Sequence, residues 1–256
     1  HNAPIYCDLK SINALGIVGN ESYRYEIMKN MIVDICARQF QSDVKMFFVA
    51  AKENKDKVYW LRMLPHVYND SIEVRNIVCD DESKNVLFEY LFKELTFREQ
   101  NKSYDNNIIV FLYNEYGFQN HPVSRFVDKA KELGVTFVFF GDTVADVGQG
   151  CGYLVSACDE KTAVLIDTKD INKSHQFVYT AIPDNQAKNI VELLAPVYTE
   201  EISLESSLIK NISLFKMLNI LSVDDLDLSK NWASSQVFKS MSAPIGVSKS
   251  GIVYLD

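Results

Sequence analysis

The sequence has little of what metal-binding, disulfide-linked or membrane-spanning chains require. Its four histidines lack the close spacing of a metal site. Its five cysteines contain no C-x-x-C pair, which favours free thiols in a reducing compartment. A signal peptide is absent, and no apolar run approaches the roughly 20 residues that cross a bilayer. The formal net charge of -8 argues against a large nucleic-acid interface, because such an interface needs a basic face.

What the sequence does contain is the ordinary composition of a globular protein. Of its 256 residues, 47% are hydrophobic and 23% are charged, enough for one large domain or one domain with an appendage. Apolar runs alternate with helical periodicity, which predicts a mostly parallel sheet covered by helices on both faces. The predicted strands are 5–9, 14–18, 45–50, 74–79, 108–113, 135–140, 153–157, 162–167 and 177–180. The predicted helices are 21–39, 58–64, 82–100, 124–133 and 184–195.

The segment NIIVFLYNE, residues 107–115, resembles an ATPase strand that has lost one functional residue. Residues 108–112 form an apolar run typical of a buried parallel strand. In P-loop ATPases such a strand ends in Asp-Glu, where the Asp holds magnesium and the Glu polarises the attacking water. Here the pair is Asn114-Glu115, and a neutral amide is a poorer ligand for a hard cation. An ordinary core strand that runs into a loop is the alternative interpretation.

The turn after residues 14–18 is altered in a similar way. A phosphate loop reads G-x-x-x-x-G-K-[ST], because its backbone N–H groups and its Lys surround the phosphates. When Gly19 is taken as the first glycine, the other three positions are occupied by Arg24, Tyr25 and Glu26. A carboxylate at the last position would repel a phosphate. The dinucleotide pattern G-x-G-x-x-G is also absent. We therefore predict that Gly19, Arg24, Tyr25, Glu26, Asn114 and Glu115 are degenerate positions of a nucleotide site, with no catalytic residue and no metal.

Several other residues could be taken for functional groups. Cys151 or Cys158 would need a distant histidine to act as a nucleophile. The cluster Asp142, Asp146 and Asp159 could bind a cation, but a solvated loop is the favoured interpretation. Trp60 and His66 flank a turn at Pro65, where we expect Trp60 to pack on the sheet and His66 to make a hydrogen bond.

The character of the sequence changes after Pro196. Residues 1–196 are predicted to form the α/β domain, and residues 197–256 a linker with the first strands of a following module. Two short helices, 214–220 and 223–232, should dock on the α/β domain through Leu214, Leu218 and Trp232. The last residues predict a hairpin with Ser250-Gly251 at its turn. Strand-like sequence continues to Asp256, so we expect the chain to have been cut before another domain.

Four stretches together resemble a known family, and they span nearly the whole chain. They are DLKSINALGIVGNES, the W-x-x-x-LPH element in YWLRMLPH, FVFFGDTVADVGQGCGYLVSA, and SLFKMLNI followed by APIGVSKSGIVYLD. Their order is similar to the segment before the first ATPase module in the FtsK/SpoIIIE-type ATPases of type VII secretion, the EssC/EccC proteins.

The resemblance implies a non-catalytic, degenerate P-loop-like domain at the cytoplasmic face of the cell membrane. Membrane helices would precede it, and ATPase modules, which use ATP and magnesium, would follow. The domain itself would take no cofactor. It would link the anchor to motors that export small helical-hairpin (WXG100-like) proteins. Its partners would be other subunits, in a hexamer, and other membrane components of the machine, but not nucleic acid.

Two rival functions remain open at this point. The first is a divergent nucleotide hydrolase that uses Glu115 as its base. The second is a module that binds a secreted substrate or a partner subunit through an apolar groove near Trp60 or Trp232.

Overall fold

The structure of the chain, a computed structural model, describes residues 5–69, 71–72, 74–113, 117–147, 150–197, 214, 217, 220, 222–234, 243–248 and 251–255. The chain divides into two compact units, His1–Thr199 and Glu200–Asp256. Among the described helices, none is both long and apolar enough to span a bilayer.

An eight-stranded sheet forms the centre of the first unit, with the strand order β10-β9-β8-β1-β7-β6-β2-β5. The strands from β5 to β8 along this order are parallel, and β9 and β10 extend the sheet as antiparallel strands. A separate two-stranded ladder joins β3 to β4. The bounds are β1 Ala14–Val18, β2 Val44–Val49, β3 Tyr68–Asn69, β4 Val74–Arg75, β5 Ile77–Val78, β6 Asn107–Leu112, β7 Val135–Gly141, β8 Cys151–Ala157, β9 Thr162–Asp167 and β10 Asp170–Val178.

The central strands β1, β7 and β6 are apolar because both faces of the sheet are covered. Every residue of β1 and β7 is buried, as are all but the first residue of β6. Successive side chains of β1 enter opposite layers, with Leu15 and Ile17 in one apolar cluster and Ala14 and Val18 in the other. This arrangement confirms the predicted fold class, a mostly parallel sheet between two helical layers.

Helices fill both layers. The α-helices of this unit are α1 Glu21–Arg38, α2 Lys55–Val58, α3 Asp81–Asn101 and α4 Asp184–Leu194. The 3-10 helices are Leu9–Ser11, Lys52–Asn54, Tyr59–Met63, Pro65–Val67 and Pro122–Leu133. The apolar residues of α1 and α4 pack on one face of the sheet, and those of α3 and the helix Pro122–Leu133 pack on the other. Asn20 caps α1, and Gly134, at φ 66, ends the helix that begins at Pro122.

The prediction of a strand at residues 5–9 is wrong. The Asp8 side chain accepts a hydrogen bond from the Lys10 N–H, and the Ser11 N–H bonds to the Asp8 carbonyl oxygen, which closes a 3-10 turn from Leu9. An Asp that binds its own following backbone favours turns over strands.

Two other predictions need adjustment. The apolar spacing of the predicted helix 21–39 also suggests Ile27, Met31 and Ile35 as its buried face, but the core-facing residues of α1 are Ile27, Met28, Ile32 and Cys36, and Met31 and Ile35 are only partly buried. The predicted strand 74–79 is interrupted at Asn76, and its two halves, β4 and β5, belong to different sheets. The single residue between them turns the chain from one sheet into the other.

The second unit contains the 3-10 helix Val223–Asp225, the helix α5 Leu228–Ser234 and the strands β11 Ala243–Ser248 and β12 Gly251–Leu255. β11 and β12 pair as the predicted antiparallel hairpin, with Ser248 opposite Gly251, while Ser250 lies outside the described residues. Leu214 and Met217 are helical, and Leu218 is outside the described residues. Docking through Leu214, Leu218 and Trp232 therefore stays a prediction.

Candidate functional site

The turn from β1 into α1 lies at the carboxyl edge of the parallel sheet, where open α/β sheets hold their ligands. Gly19 makes this turn with φ 129, a conformation that side-chain-bearing residues rarely adopt. Its N–H donates to the Gly141 carbonyl oxygen at 3.3 Å. A Cβ at this position would lie 2.7 Å from the Ala157 carbonyl oxygen. Gly19 is thus needed for the close approach of the end of β8 to this turn, independently of any ligand.

The turn is short, because α1 begins at Glu21, immediately after Gly19 and Asn20. The Asn20 side chain accepts from the Ser22 N–H at 3.0 Å and from the Ser22 hydroxyl at 2.9 Å. A phosphate loop keeps a longer Gly-rich stretch before its helix and directs its N–H groups to the ligand. In this chain the Asn20 side chain accepts a hydrogen bond from one of those N–H groups.

Arg24 is buried in the second turn of α1. Its guanidinium donates to Asp142 Oδ1 at 2.6 Å, which joins α1 to the loop after β7. The Arg24 side chain is 10% exposed and that of Asp142 is 80% exposed. Among the described residues Arg24 Nε has no hydrogen-bond partner. The position that a phosphate loop gives to glycine is thus filled by an arginine paired within the protein.

The side chains of Tyr25 and Glu26 interact with lysine side chains of the protein itself. The ammonium groups of Lys29 and Lys57 lie 4.9 Å and 4.7 Å from the centre of the Tyr25 ring. Burial, followed by the nearby charges of Asp184 and Glu26, raises the pKa of Tyr25 to about 12, so its hydroxyl stays protonated at neutral pH. Glu26 pairs with Lys29 at 2.7 Å.

Lys29 is the best-buried cation of this region, at 2% side-chain exposure. Besides Glu26, it binds Asp184 Oδ1 and the Ile182 carbonyl oxygen, both at 2.7 Å. Three oxygen ligands compensate the cost of burying the charge. The cluster joins α1 to the start of α4.

The end of β6 lies beside the start of α1. Tyr113 donates its hydroxyl to Glu21 Oε1 at 3.4 Å, and Lys57 Nζ lies 3.9 Å from the same oxygen. Burial first, and the Glu21 carboxylate second, raise the pKa of Tyr113 above its usual range. Asn114 and Glu115 lie outside the described residues, so their role in a degenerate site stays a prediction.

The surroundings of the other candidate residues do not favour a catalytic or metal-binding role. Burial raises the pKa of Cys151 to about 11, which disfavours the thiolate that a nucleophile needs. Asp146 accepts hydrogen bonds from the Thr143 N–H and hydroxyl, and Asp159 from the N–H groups of Lys161 and Thr162. Within the described part of the chain no three His, Cys, Asp or Glu residues are grouped as a metal site.

The predictions for Trp60 and His66 are confirmed. Trp60 packs, partly buried, against the apolar cluster under α1 and donates its indole N–H to the Lys57 carbonyl oxygen at 3.0 Å. His66 Nε2 lies 2.8 Å from the Gln39 carbonyl oxygen. Because that oxygen only accepts, the ring is protonated on Nε2.

Sequence reasoning missed the partners that hold this edge together. The Glu26–Lys29 pair has a local signal, the i to i+3 spacing on a helix. Asp142 and Asp184 have none, because they lie far from Arg24 and Lys29 in the sequence. Of the six predicted positions, the structure places Gly19 at the turn, pairs Arg24 with Asp142, and brings Tyr25 and Glu26 to the same cation, Lys29.

No family model matches the chain, but individual proteins do. It is 20% identical over 256 residues to the type VII secretion system protein EssC of Staphylococcus aureus strain MSSA476, an alignment that covers 96% of this chain. It is also 20% identical over 268 residues to the ESX secretion system protein YukB of Bacillus subtilis strain 168, an alignment that covers all of this chain. The matched region spans 17% of either relative's length.

A solved structure of ATPases 2 and 3 of EssC from Geobacillus thermodenitrificans has a similar fold. The two superpose with a TM-score of 0.56 at 13% identity, over 98% of this chain and 55% of that one. At this identity the likeness concerns the fold, which is P-loop NTPase-like. This fold is therefore combined here with a carboxyl edge occupied by the chain's own side chains.

Proposed function

The chain is homologous to the EssC/EccC ATPases of type VII secretion, and from this premise we propose that it is a non-catalytic module of such a machine. The turn between β1 and α1 carries the proposal. It has only two residues, Asn20 caps the helix that follows, and Arg24 is paired with Asp142. A nucleotide phosphate would have to displace these contacts and approach Glu26.

The proposal predicts that the chain neither binds magnesium–ATP tightly nor hydrolyses it. Isothermal titration of the full chain with ATP and magnesium should give no saturable heat, whereas an active P-loop module in the same buffer should. A micromolar dissociation constant would contradict the proposal. Glu115→Gln serves as a matched control, because it removes the base of the rival mechanism. Any hydrolysis by the wild type that this substitution abolishes would establish the divergent ATPase instead.

The role of the module in the whole protein is to connect the catalytic domains to the membrane anchor. We place the module at the cytoplasmic face of the cell membrane, between a membrane anchor and ATPase motors that bind ATP and magnesium. Other subunits of the same ATPase, in a hexameric assembly, and other membrane components of the system are its partners. The cargo is the class of small helical-hairpin proteins. Homology to EssC and YukB supports this proposal.

Coupling between the motors and the anchor requires the segment after residue 196 to transmit conformational changes of the ATPase motors to the α/β unit. Leu218→Asp in the full-length protein should therefore reduce secretion, because a charge would oppose the predicted apolar docking of its helix. ATP hydrolysis by the purified full-length variant is the control, since it should persist if the motors remain folded. Normal secretion by Leu218→Asp would refute the coupling role without bearing on nucleotide binding.

A further inference from the structure

Two adjoining cavities lie beside α1, away from the turn at Gly19. The first, of about 260 Å³, opens at the amino-terminal ends of β2, β6 and β7. The second, of about 320 Å³, extends over β1, β8, β9 and the end of β10. Their walls share Cys7, Leu9, Asp34 and Ile35, so the two cavities lie side by side. Cavities of this size hold small organic molecules.

The second cavity is mainly apolar. Its wall includes Leu15, Ile27, Met31, Val155, Leu165 and Phe177. Its polar groups are either engaged within the protein or placed at the rim. Asn30 donates to the Thr180 carbonyl oxygen at 3.0 Å, and the Tyr179 hydroxyl donates to the Asp159 carbonyl oxygen at 2.7 Å. Tyr6, at the rim, is 76% exposed. The interior of this cavity therefore suits an apolar group such as an alkyl chain.

Three cations from three separate elements border the first cavity. They are Lys10 of the 3-10 helix Leu9–Ser11, Arg38 at the end of α1, and Lys131 of the helix Pro122–Leu133. Lys10 and Lys131 are exposed, and the Arg38 side chain is 65% exposed, so a ligand can reach all three. Among the described residues, the ammonium groups of Lys10 and Lys131 have no hydrogen-bond or ion-pair partner.

Two carboxylates also border the first cavity, and the protein engages both. Asp34 Oδ1 accepts from Arg38 Nε at 2.7 Å, and Asp8 Oδ1 accepts from the Lys10 N–H at 3.1 Å. Three cations and two carboxylates leave one net positive charge beside this cavity, in a chain whose net charge is -8. The electrostatic complement of the first cavity is therefore a group with a single negative charge.

The uncharged polar groups of the first cavity are compatible with an anion. The Thr136 hydroxyl already donates to a carbonyl oxygen at 2.7 Å. Burial raises the pKa of Cys7 to about 11, so its thiol is neutral and adds apolar surface at the junction of the two cavities. The Tyr104 hydroxyl and the side-chain amides of Gln39 and Asn107 have N–H or O–H groups that can donate to a carboxylate.

We propose that the two cavities together bind a free fatty acid. Its carboxylate would lie among Lys10, Arg38 and Lys131, where two oxygens can accept several charge-assisted hydrogen bonds. Its alkyl chain would enter the second cavity and bury its methylene groups against Met31 and Leu165. A volume of about 320 Å³ suits one chain, which favours a fatty acid over a two-chain membrane lipid. This site does not depend on the proposed function.

Octanoate, octylamine and butyrate test the head group and the chain separately. In a titration of the isotope-labelled full chain followed by NMR, octanoate should cause saturable shifts in the amide signals of residues 7–10, 31–38 and 131–136. Octylamine has the same chain with a cationic head, and it should bind at least about tenfold more weakly. Butyrate lacks four methylene groups and should bind about 100-fold more weakly. Absence of saturable shifts with octanoate, or equal affinity for octylamine, would overturn the proposal.

Substitutions assign the two parts of the ligand to the two cavities. Lys10→Gln/Lys131→Gln should weaken octanoate binding at least about tenfold, because two cations are lost. The matched control Lys93→Gln/Lys188→Gln removes two exposed lysines outside both cavities and should leave the affinity unchanged. Met31→Trp fills part of the second cavity, so it should weaken octanoate but not butyrate. Wild-type affinity for octanoate in either the lysine variant or Met31→Trp would contradict the proposal.

A membrane surface is the other source of an anionic head group with an alkyl chain. Vesicles of phosphatidylglycerol should not sediment the full chain, because a two-chain lipid does not fit the second cavity. If they do sediment it, and Lys10→Gln/Lys131→Gln abolishes this binding, the cations serve a membrane surface and the proposal of a fatty-acid site fails.

Discussion

At the scale of single residues, the positions that a phosphate loop would use serve the packing of this chain. Gly19 has a backbone conformation that favours glycine, and the atom against it is the Ala157 carbonyl oxygen, 2.7 Å from where a Cβ would be. Arg24 has the charge that attracts phosphate, but Asp142 neutralises it. A sequence motif reports residue types and spacing, and it cannot show whether the protein itself already supplies the partner.

His66 gives a prediction at this scale, because burial lowers its pKa from the ordinary value of 6.5. Its Nδ1 is buried without a hydrogen-bond partner among the described residues, so a proton there would be poorly solvated. The unfolded chain binds that proton at higher pH than the folded chain does. The free energy of unfolding should therefore be greatest above about pH 6.5 and fall as the pH is lowered through that value.

Urea denaturation between pH 7.5 and 5.5 measures this loss while most carboxylates remain ionised. His66→Gln should reduce the pH dependence in this window. Part of it should remain, since burial also lowers the pKa of His121. A His66→Gln variant as pH-sensitive as the wild type would show that His66 titrates normally.

At the scale of elements, an ion pair between Arg24 and Asp142 joins α1 to the loop after β7. Arg24 is buried, so loss of its partner would leave a charge without compensation. A double-mutant cycle with Arg24→Met and Asp142→Asn should give a coupling free energy of about 0.5–3 kcal/mol. The control is Arg38–Asp34 on the same helix, 2.7 Å apart but 65% and 59% exposed, where the coupling should be below about 1 kcal/mol. Equal coupling in the two pairs would contradict a structural role for Arg24.

The elements that sequence predicted best are those with the strongest burial. Residues 14–18 are strand β1 as predicted, because a strand covered on both faces must be apolar throughout. β10 was predicted only at its end, since most of Asp170–Val178 is exposed at the sheet edge and carries no apolar pattern. The break at Asn76 between β4 and β5 could not be predicted from the sequence either. It exists because β4 and β5 belong to two separate sheets. For the candidate site, the sequence predicted the turn at Gly19 but not the distant Asp142.

At the scale of the whole molecule, the two units should differ in their resistance to opening. The second unit has a two-stranded sheet, and an isolated hairpin is marginally stable in water. The strands β6 and β7 each have a hydrogen-bonded neighbour on both sides. Amide hydrogen exchange of the full chain should therefore be faster in β11 and β12 than in β6 and β7. Equal protection of the hairpin and of β6 would show that the second unit is as stable as the first.

The cluster around Lys29 has a mechanical consequence. Its ammonium holds the Ile182 carbonyl oxygen and Asp184, and Asn30 donates to the Thr180 carbonyl oxygen at 3.0 Å, so the start of α4 is attached directly to α1. A pulling force applied after residue 194 would thus load the first helix of the unit before it could peel the edge strand β10 from the sheet. Traction at the end of this domain would therefore be transmitted to its interior, and the edge strand β10 would be shielded from it.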